Sequence, residues 1–175
     1  TSDGDPTVRF AQLATVDRNG NPYNRTVVIR TFRSETGELQ IVTDARSQKI
    51  AHLRGTPRAA LCWYLTAPRQ QFRFRGPVTL VDASTDGDDQ DLRRSTWTAL
   101  SPRTRAQFLW PAPGTPKTED AIDDSPPPDA PPETIVVLRL YPDDVDHLVL
   151  TSTPHRRTCY RLDDTGHWQR HPVNP

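Results

Sequence analysis

The dipeptide Asn19-Gly20 stands between two runs with strand character, FAQLATVD (10–17) and NRTVVIRTF (24–32). Asn-Gly accepts the positive φ angles of a two-residue hairpin turn, whose twist matches the strands it joins. The chain therefore opens on an antiparallel pair. A second turn, SETGE (34–38), leads into LQIVTD (39–44) and extends the pair to a three-stranded meander.

The period then changes. ARSQKIAHLRG (45–55) places Ile50 and Leu53 with Ala45 and Ala51 on a short amphipathic helix. Asp44 or Ser47 can cap its start and Gly55 can end it. PRAALCWYL (57–65) and QQFRFRGPVTLVD (70–82) read as strands. In the second, Phe72, Phe74, Val78 and Leu80 share one parity, with Arg73 and Arg75 between them. Residues 88–100 and 102–110 look helical. ETIVVLRLYP (133–142), DDVDHLVL (143–150), RTCYRLDD (157–164) and GHWQRHPVNP (166–175) return to strand. Eight or nine short strands with a few helices predict a mainly β, α+β fold: antiparallel sheet closing into a barrel with the helices outside. The 175 residues suit one domain. Residues 1–6 (TSDGDP) read as a loose tail. Residues 111–134, with eight prolines and six acidic side chains, read as an extended or disordered loop inserted within that domain.

The charge balance narrows the function. A formal net charge of zero argues against a general nucleic-acid or membrane-surface binder. Arg73 and Arg75 beside Phe72, Phe74 and Trp63 could form a base-stacking platform, but alternating core and surface explains the same pattern. No apolar run approaches the ~20 residues of a membrane span, and no signal-peptide core opens the chain. Cys62 and Cys159 make no disulfide framework, which fits a reducing compartment. A cytoplasmic location is expected. The sequence has no methionine, so a missing or altered native start is expected. Of 22 basic residues only Lys49 and Lys117 are lysines, which reads as biased composition. The chain lacks GxSxG, GxGxxG and P-loop motifs. The five histidines have no metal-binding spacing, so no metal site is expected.

What remains is a set of anion-binding residue types at element ends. Arg25 and Arg30 bracket a β-branched strand, and neither can be discharged at ordinary pH. Strand parity puts Arg25 with Val27 and Ile29, and Arg30 with Thr26 and Val28, so the two should have different partners. Thr43 ends the third strand. Ser47 and Lys49 fall at the start of the helix that follows, where free N–H groups and the helix dipole favour a phosphate. Gln71 opens the long fifth strand.

The order LATVDRNGNPYNRTVVIRTF, LQIVTDARSQKIAHL, PRAALCWYL, RQQFRFRGPVTLV and a terminal W-x5-NP resembles the pyridoxamine 5′-phosphate oxidase-like, FMN-binding split-barrel proteins. The resemblance runs through residues 10–80 and, more loosely, 135–175. It implies an antiparallel Greek-key split β-barrel with peripheral helices, working as a homodimer with FMN at the subunit interface. It implies that Arg25 binds the FMN phosphate, with Ser47, Gln48 and Lys49, and that Thr26, Val27, Val28, Val42, Thr43, Gln71 and Arg157 adjoin the cofactor. Arg30 closes the strand near the flavin ring and is the candidate catalytic residue. Trp97, Ser101, Arg105 and His155 match the substrate side, where the family's own residue types are replaced. The implied function is a flavin-dependent oxidoreductase on an unidentified small molecule. The alternatives are a non-catalytic flavin-binding protein, or a relative using deazaflavin or haem.

Overall fold

The computed structural model describes residues 6–117 and 125–175; the predicted tail at 1–5 and the middle of the 111–134 loop lie outside them. Nine strands form one antiparallel sheet: β1 (Phe10–Val16), β2 (Pro22–Arg33), β3 (Glu38–Asp44), β4 (Arg58–Leu65), β5 (Gln70–Val81), β6 (Ile135–Leu140), β7 (Asp144–Val149), β8 (Arg156–Leu162) and β9 (Trp168–Val173). Their order is β4-β1-β2-β3-β6-β5-β7-β8-β9, and β4 also pairs with β5. That last pairing closes a six-stranded ring, as a split barrel requires, and leaves β7–β9 as a ribbon on its flank.

The helix α1 (Gln48–Gly55) makes the crossover from β3 to β4 and buries Ile50, His52 and Leu53. Helices α2 (Asp88–Ala99) and α3 (Pro102–Ala106) follow β5, and a 3-10 turn at Gln107–Leu109 completes that layer. The alternation read from the sequence is the alternation of burial. Val27 and Ile29 of β2 enter the core with Leu13, Leu39, Ile41, Leu61 and Phe74. A smaller core, Trp97, Leu100, Phe108 and Ile135, glues α2 to β6.

Strand β5 belongs to both halves of the sheet. Its first half, Gln70–Arg75, lies between β4 and β7, and its second half, Val78–Val81, pairs with β6. Gly76 stands at the changeover. A Cβ added there would lie 2.0 Å from the Tyr141 carbonyl oxygen, so only glycine lets the backbones approach this closely.

Phe72 and Phe74 pack toward the core, whereas Arg73 and Arg75 face outward and pair with Asp146 and Asp144. Aromatic rings and cations therefore occupy opposite faces and form no shared stacking platform. The described part of the Pro-rich loop carries no helix or strand, but it is tied down. Trp97 Nε1 donates to Pro128 O (3.0 Å), Arg93 Nη2 to Pro131 O (3.4 Å), and Thr134 Oγ1 to Phe108 O (2.9 Å). No helix among the described residues is long and apolar enough to cross a membrane, and no described group of His, Cys, Asp or Glu could hold a metal.

Candidate cofactor site

The turn from β3 into α1 brings three polar groups together because Thr43 ends the strand and Ser47 and Lys49 begin the helix. Lys49 Nζ donates to Thr43 Oγ1 (2.7 Å) and Ser47 Oγ (2.9 Å). Ser47 sits at the N-cap position but makes no side-chain cap; its hydroxyl donates instead to Asp44 O at 2.7 Å. The first N–H groups of α1 thus stay available to an anion.

Arg25 approaches the same place from β2. Its Nη1 donates to Leu13 O (3.1 Å) and Thr15 Oγ1 (2.8 Å). Thr15 in turn lies 2.9 Å from Nδ1 of the buried His52, whose ring sits tilted against that of Tyr23 with centroids 4.6 Å apart. The Thr15 hydroxyl thus bridges Arg25 and His52. Neither Thr15 nor His52 stood out in the sequence, because a threonine and a histidine 37 positions apart (|i−j| = 37) carry no local pattern.

One cavity of ≈ 240 Å³ gathers this region. Arg25, Thr26, Val27, Val28 and Arg30 line it from β2, Val42 and Thr43 from β3, and Lys49 from α1. Thr104, Gln107 and Phe108 close it from α3 and the turn after it; their i, i+3, i+4 spacing was the available signal and was not singled out. Alternation along β2 separates Arg25 from Arg30, yet both line the cavity; the pairing of β2 with β3 shifts register between Ile29 and Thr31, beside Arg30.

Most arginines of the ribbon and barrel flank are ion-paired. Arg25, Arg30 and Lys49 form no ion pair with a described carboxylate. Burial pushes the Lys49 ammonium below its ordinary value, and the charge on Arg25 adds to this. Burial also lowers Arg25 and Arg30. The Nε of Arg30 is buried with no hydrogen-bond partner. Concentrated, uncompensated positive charge of this kind is costly unless an anion completes it.

The remaining expected residues lie elsewhere. Gln48 is exposed on α1. Gln71 and Arg157 flank Leu148 in adjacent strands, on the outer face of the sheet. There Arg157 lines a separate cavity of ≈ 640 Å³ and, with Arg73, grips the buried Asp146. Burial raises the Asp146 carboxyl, but hydrogen bonds from Arg157 and Arg73 outweigh it and hold the group below its ordinary value. Trp97 is fully buried in the α2–β6 core, where packing rather than either cavity occupies its ring. The Arg105 guanidinium lies over that ring at 5.7 Å. Ser101 caps α3 by accepting from Thr104 N. His155 is exposed in the turn before β8, with Nδ1 2.9 Å from Ser152 O.

Comparison with known proteins bears on this arrangement. A family model described as pyridoxamine 5′-phosphate oxidase, FMN-binding domain, matches residues 1–82. Pyridoxine/pyridoxamine 5′-phosphate oxidase 2 of Arabidopsis thaliana is 35% identical over 172 residues, 95% of this chain and 87% of the plant protein. The chain belongs to the pyridoxamine 5′-phosphate oxidase family of FMN-binding proteins. The crystal structure of a pyridoxamine 5′-phosphate oxidase-related, FMN-binding protein from Nostoc punctiforme superposes with a TM-score of 0.90 at 40% identity, covering 97% of this chain and 88% of that one. PhzG from Burkholderia lata, at 18% identity and a TM-score of 0.73, shares the fold. The family's rhizobial oxidases match over a shorter stretch: that of Rhizobium leguminosarum is 39% identical over 75 residues, 42% of this chain and 35% of its own length. FMN is the cofactor of this family member, and the unpaired cations, hydroxyls and uncapped helix start suit the phosphate of that cofactor.

Proposed function

We propose that the protein is an FMN-dependent oxidoreductase acting on a small molecule, and that it works as a homodimer with flavin between two copies. The observation that carries this reading is the cavity in which Arg25, Thr43 and Lys49 converge without a carboxylate to neutralise them. In it Arg25, Lys49 and the start of α1 hold the phosphate. The side chains of Val28 and Val42 exclude water beside the ring. Arg30, a fixed cation, favours negative charge where flavin and substrate meet. FMN, when bound, supplies the acceptor for the substrate's two electrons. No carboxylate or histidine is among the described residues lining the cavity, which fits hydride removal without a protein base.

The homodimer rests on the separation of the two residue sets. Gln71 and Arg157 face outward from a different part of the sheet than Arg25 and Lys49. A second copy would present its Gln71 and Arg157 to the flavin held by the first. The exposed ribbon also carries Leu162, Trp168 and Val173, apolar surface of the kind an interface covers.

The test is the visible spectrum of the protein saturated with FMN. Each charge-assisted hydrogen bond to phosphate is worth about 1.5–3 kcal/mol. Arg25→Ala with Lys49→Ala should therefore weaken FMN binding by at least ~100-fold. A protein that ignores added FMN, or a double variant that binds it as tightly, defeats the reading. Anaerobic loss of flavin colour on adding pyridoxamine 5′-phosphate or another amine separates turnover from simple binding.

A further inference from the structure

Helix α1 carries two polar side chains that bear on Arg25, one turn apart. Lys49, at its start, reaches Thr43 and Ser47, and the charge of Arg25 acts on it. His52 is turned into the protein interior and is only 6% exposed. Its Nδ1 lies 2.9 Å from Thr15 Oγ1, and the same oxygen accepts from Arg25 Nη1 at 2.8 Å. The ring of Tyr23 on β2 packs against it. An apolar residue would serve packing alone, as Ile50 and Leu53 do on the same helix. A buried imidazole costs free energy unless it is hydrogen-bonded, and the partner of this one is the hydroxyl that Arg25 uses.

Arg25 commits Nη1 to two acceptors, Leu13 O and Thr15 Oγ1. A guanidinium is planar and rigid, so anchoring Nη1 at two points sets where the Nε and Nη2 donors aim. Leu13 O belongs to the backbone of β1 and is fixed by the sheet. Thr15 Oγ1 belongs to a side chain that can change rotamer. The contact to His52 holds that oxygen in place whichever ring nitrogen carries the proton, because a hydroxyl can donate or accept.

We propose that His52 is a positioning residue for the cofactor phosphate: acting through Thr15, it holds Arg25 with its free donors toward the phosphate, and so sets the preference for FMN over riboflavin. The proposal rests on the reading that Arg25 binds that phosphate. His52 is not among the residues lining the cavity, so its contribution is the aim of the guanidinium and not a contact of its own. Helix α1 then serves the phosphate twice, directly through Lys49 and indirectly through His52.

The full chain, stripped of flavin, is titrated with FMN and with riboflavin, which lacks only the phosphate, and binding is read by quenching of flavin fluorescence. Arg25→Ala sets the reference: it should weaken FMN and leave riboflavin within about twofold. His52→Phe keeps a ring against Tyr23 but removes the polar nitrogen. It should weaken FMN about 3–10-fold, with riboflavin again little changed. His52→Leu carries the same expectation should the larger ring not fold. His52→Asn, whose amide reaches the place of Nδ1, should retain most of the FMN affinity. Added to Arg25→Ala, His52→Phe should cost almost nothing more. Equal losses for FMN and riboflavin, an unchanged FMN affinity, or additive losses in the double variant overturn the proposal. If Arg25→Ala leaves both ligands as they were, the phosphate lies elsewhere and the flavin-site reading fails, taking this role with it. If Arg25→Ala separates the two ligands and His52→Phe does not, only the role of His52 fails.

Discussion

At the scale of single residues, two side chains decide how the cofactor cavity behaves. Lys49 is held below its ordinary value of 10.5 by burial and by Arg25. A bound phosphate must raise it again, because opposite charge favours the protonated form. FMN affinity is therefore full at neutral pH and falls as pH climbs through the free protein's Lys49 value, below 10.5. FMN titrations across the alkaline range should show that fall, and Lys49→Met should remove it along with part of the affinity. The same depressed value has the opposite sign for the protein without FMN. Charged Lys49 then costs stability, and the cost fades as pH rises through that window. Thr15 acts through Arg25. Thr15→Val removes the acceptor at 2.8 Å and the contact to His52. It should weaken FMN about 3–20-fold, and combining it with Arg25→Ala should add almost nothing, since both act through one group. Additive effects in that double variant would show that Thr15 does not work through Arg25.

At the scale of elements, β5 serves both halves of the sheet, and its crossing leaves no room for a side chain at Gly76. Gly76→Ala drives a methyl into the Tyr141 carbonyl, and the backbone must move because the obstacle is not a side chain. The expected cost is about 1–3 kcal/mol, a drop of roughly 3–10 °C in melting temperature, readable by calorimetry. An unchanged melting temperature would mean that β5 and the β6–β7 connection part easily. The elements were also the most legible part of the sequence. Asn19-Gly20, the parity of Phe72 and Phe74, and the switch to helical period at Ile50 and Leu53 each report a local backbone preference. Where a strand changes partners is a property of packing between segments far apart in sequence: Gly76-Pro77 interrupts the strand pattern without saying which backbone approaches it, and the register shift after Ile29 left no local mark.

At the scale of the whole molecule, the cofactor cavity divides by the same rule. Its floor, from Arg25 to Lys49, lies within one strand-turn-strand-helix unit and could be read in order along the chain. Its roof, Thr104, Gln107 and Phe108, comes from a layer that only folding brings back. The proposed dimer is tested here. Sedimentation should give twice the 19.8 kDa chain mass. Trp168→Asp on the exposed ribbon should shift the protein toward the single-chain mass and weaken FMN at the same time. A single-chain mass for the unaltered protein that binds FMN tightly would refute the shared site.

The ring has one further consequence. It is closed by β6, which pairs with both β3 and β5 and reaches them only after the Pro-rich loop. A break in the peptide chain after Gly114 would leave five barrel strands on one fragment and the closing strand on the other. Hydrogen bonds from Arg93 and Trp97 to the far side of that break would hold the two together. Flavin colour would then report the meeting of two separate polypeptides, and the fold offers itself as a complementation reporter with its own chromophore.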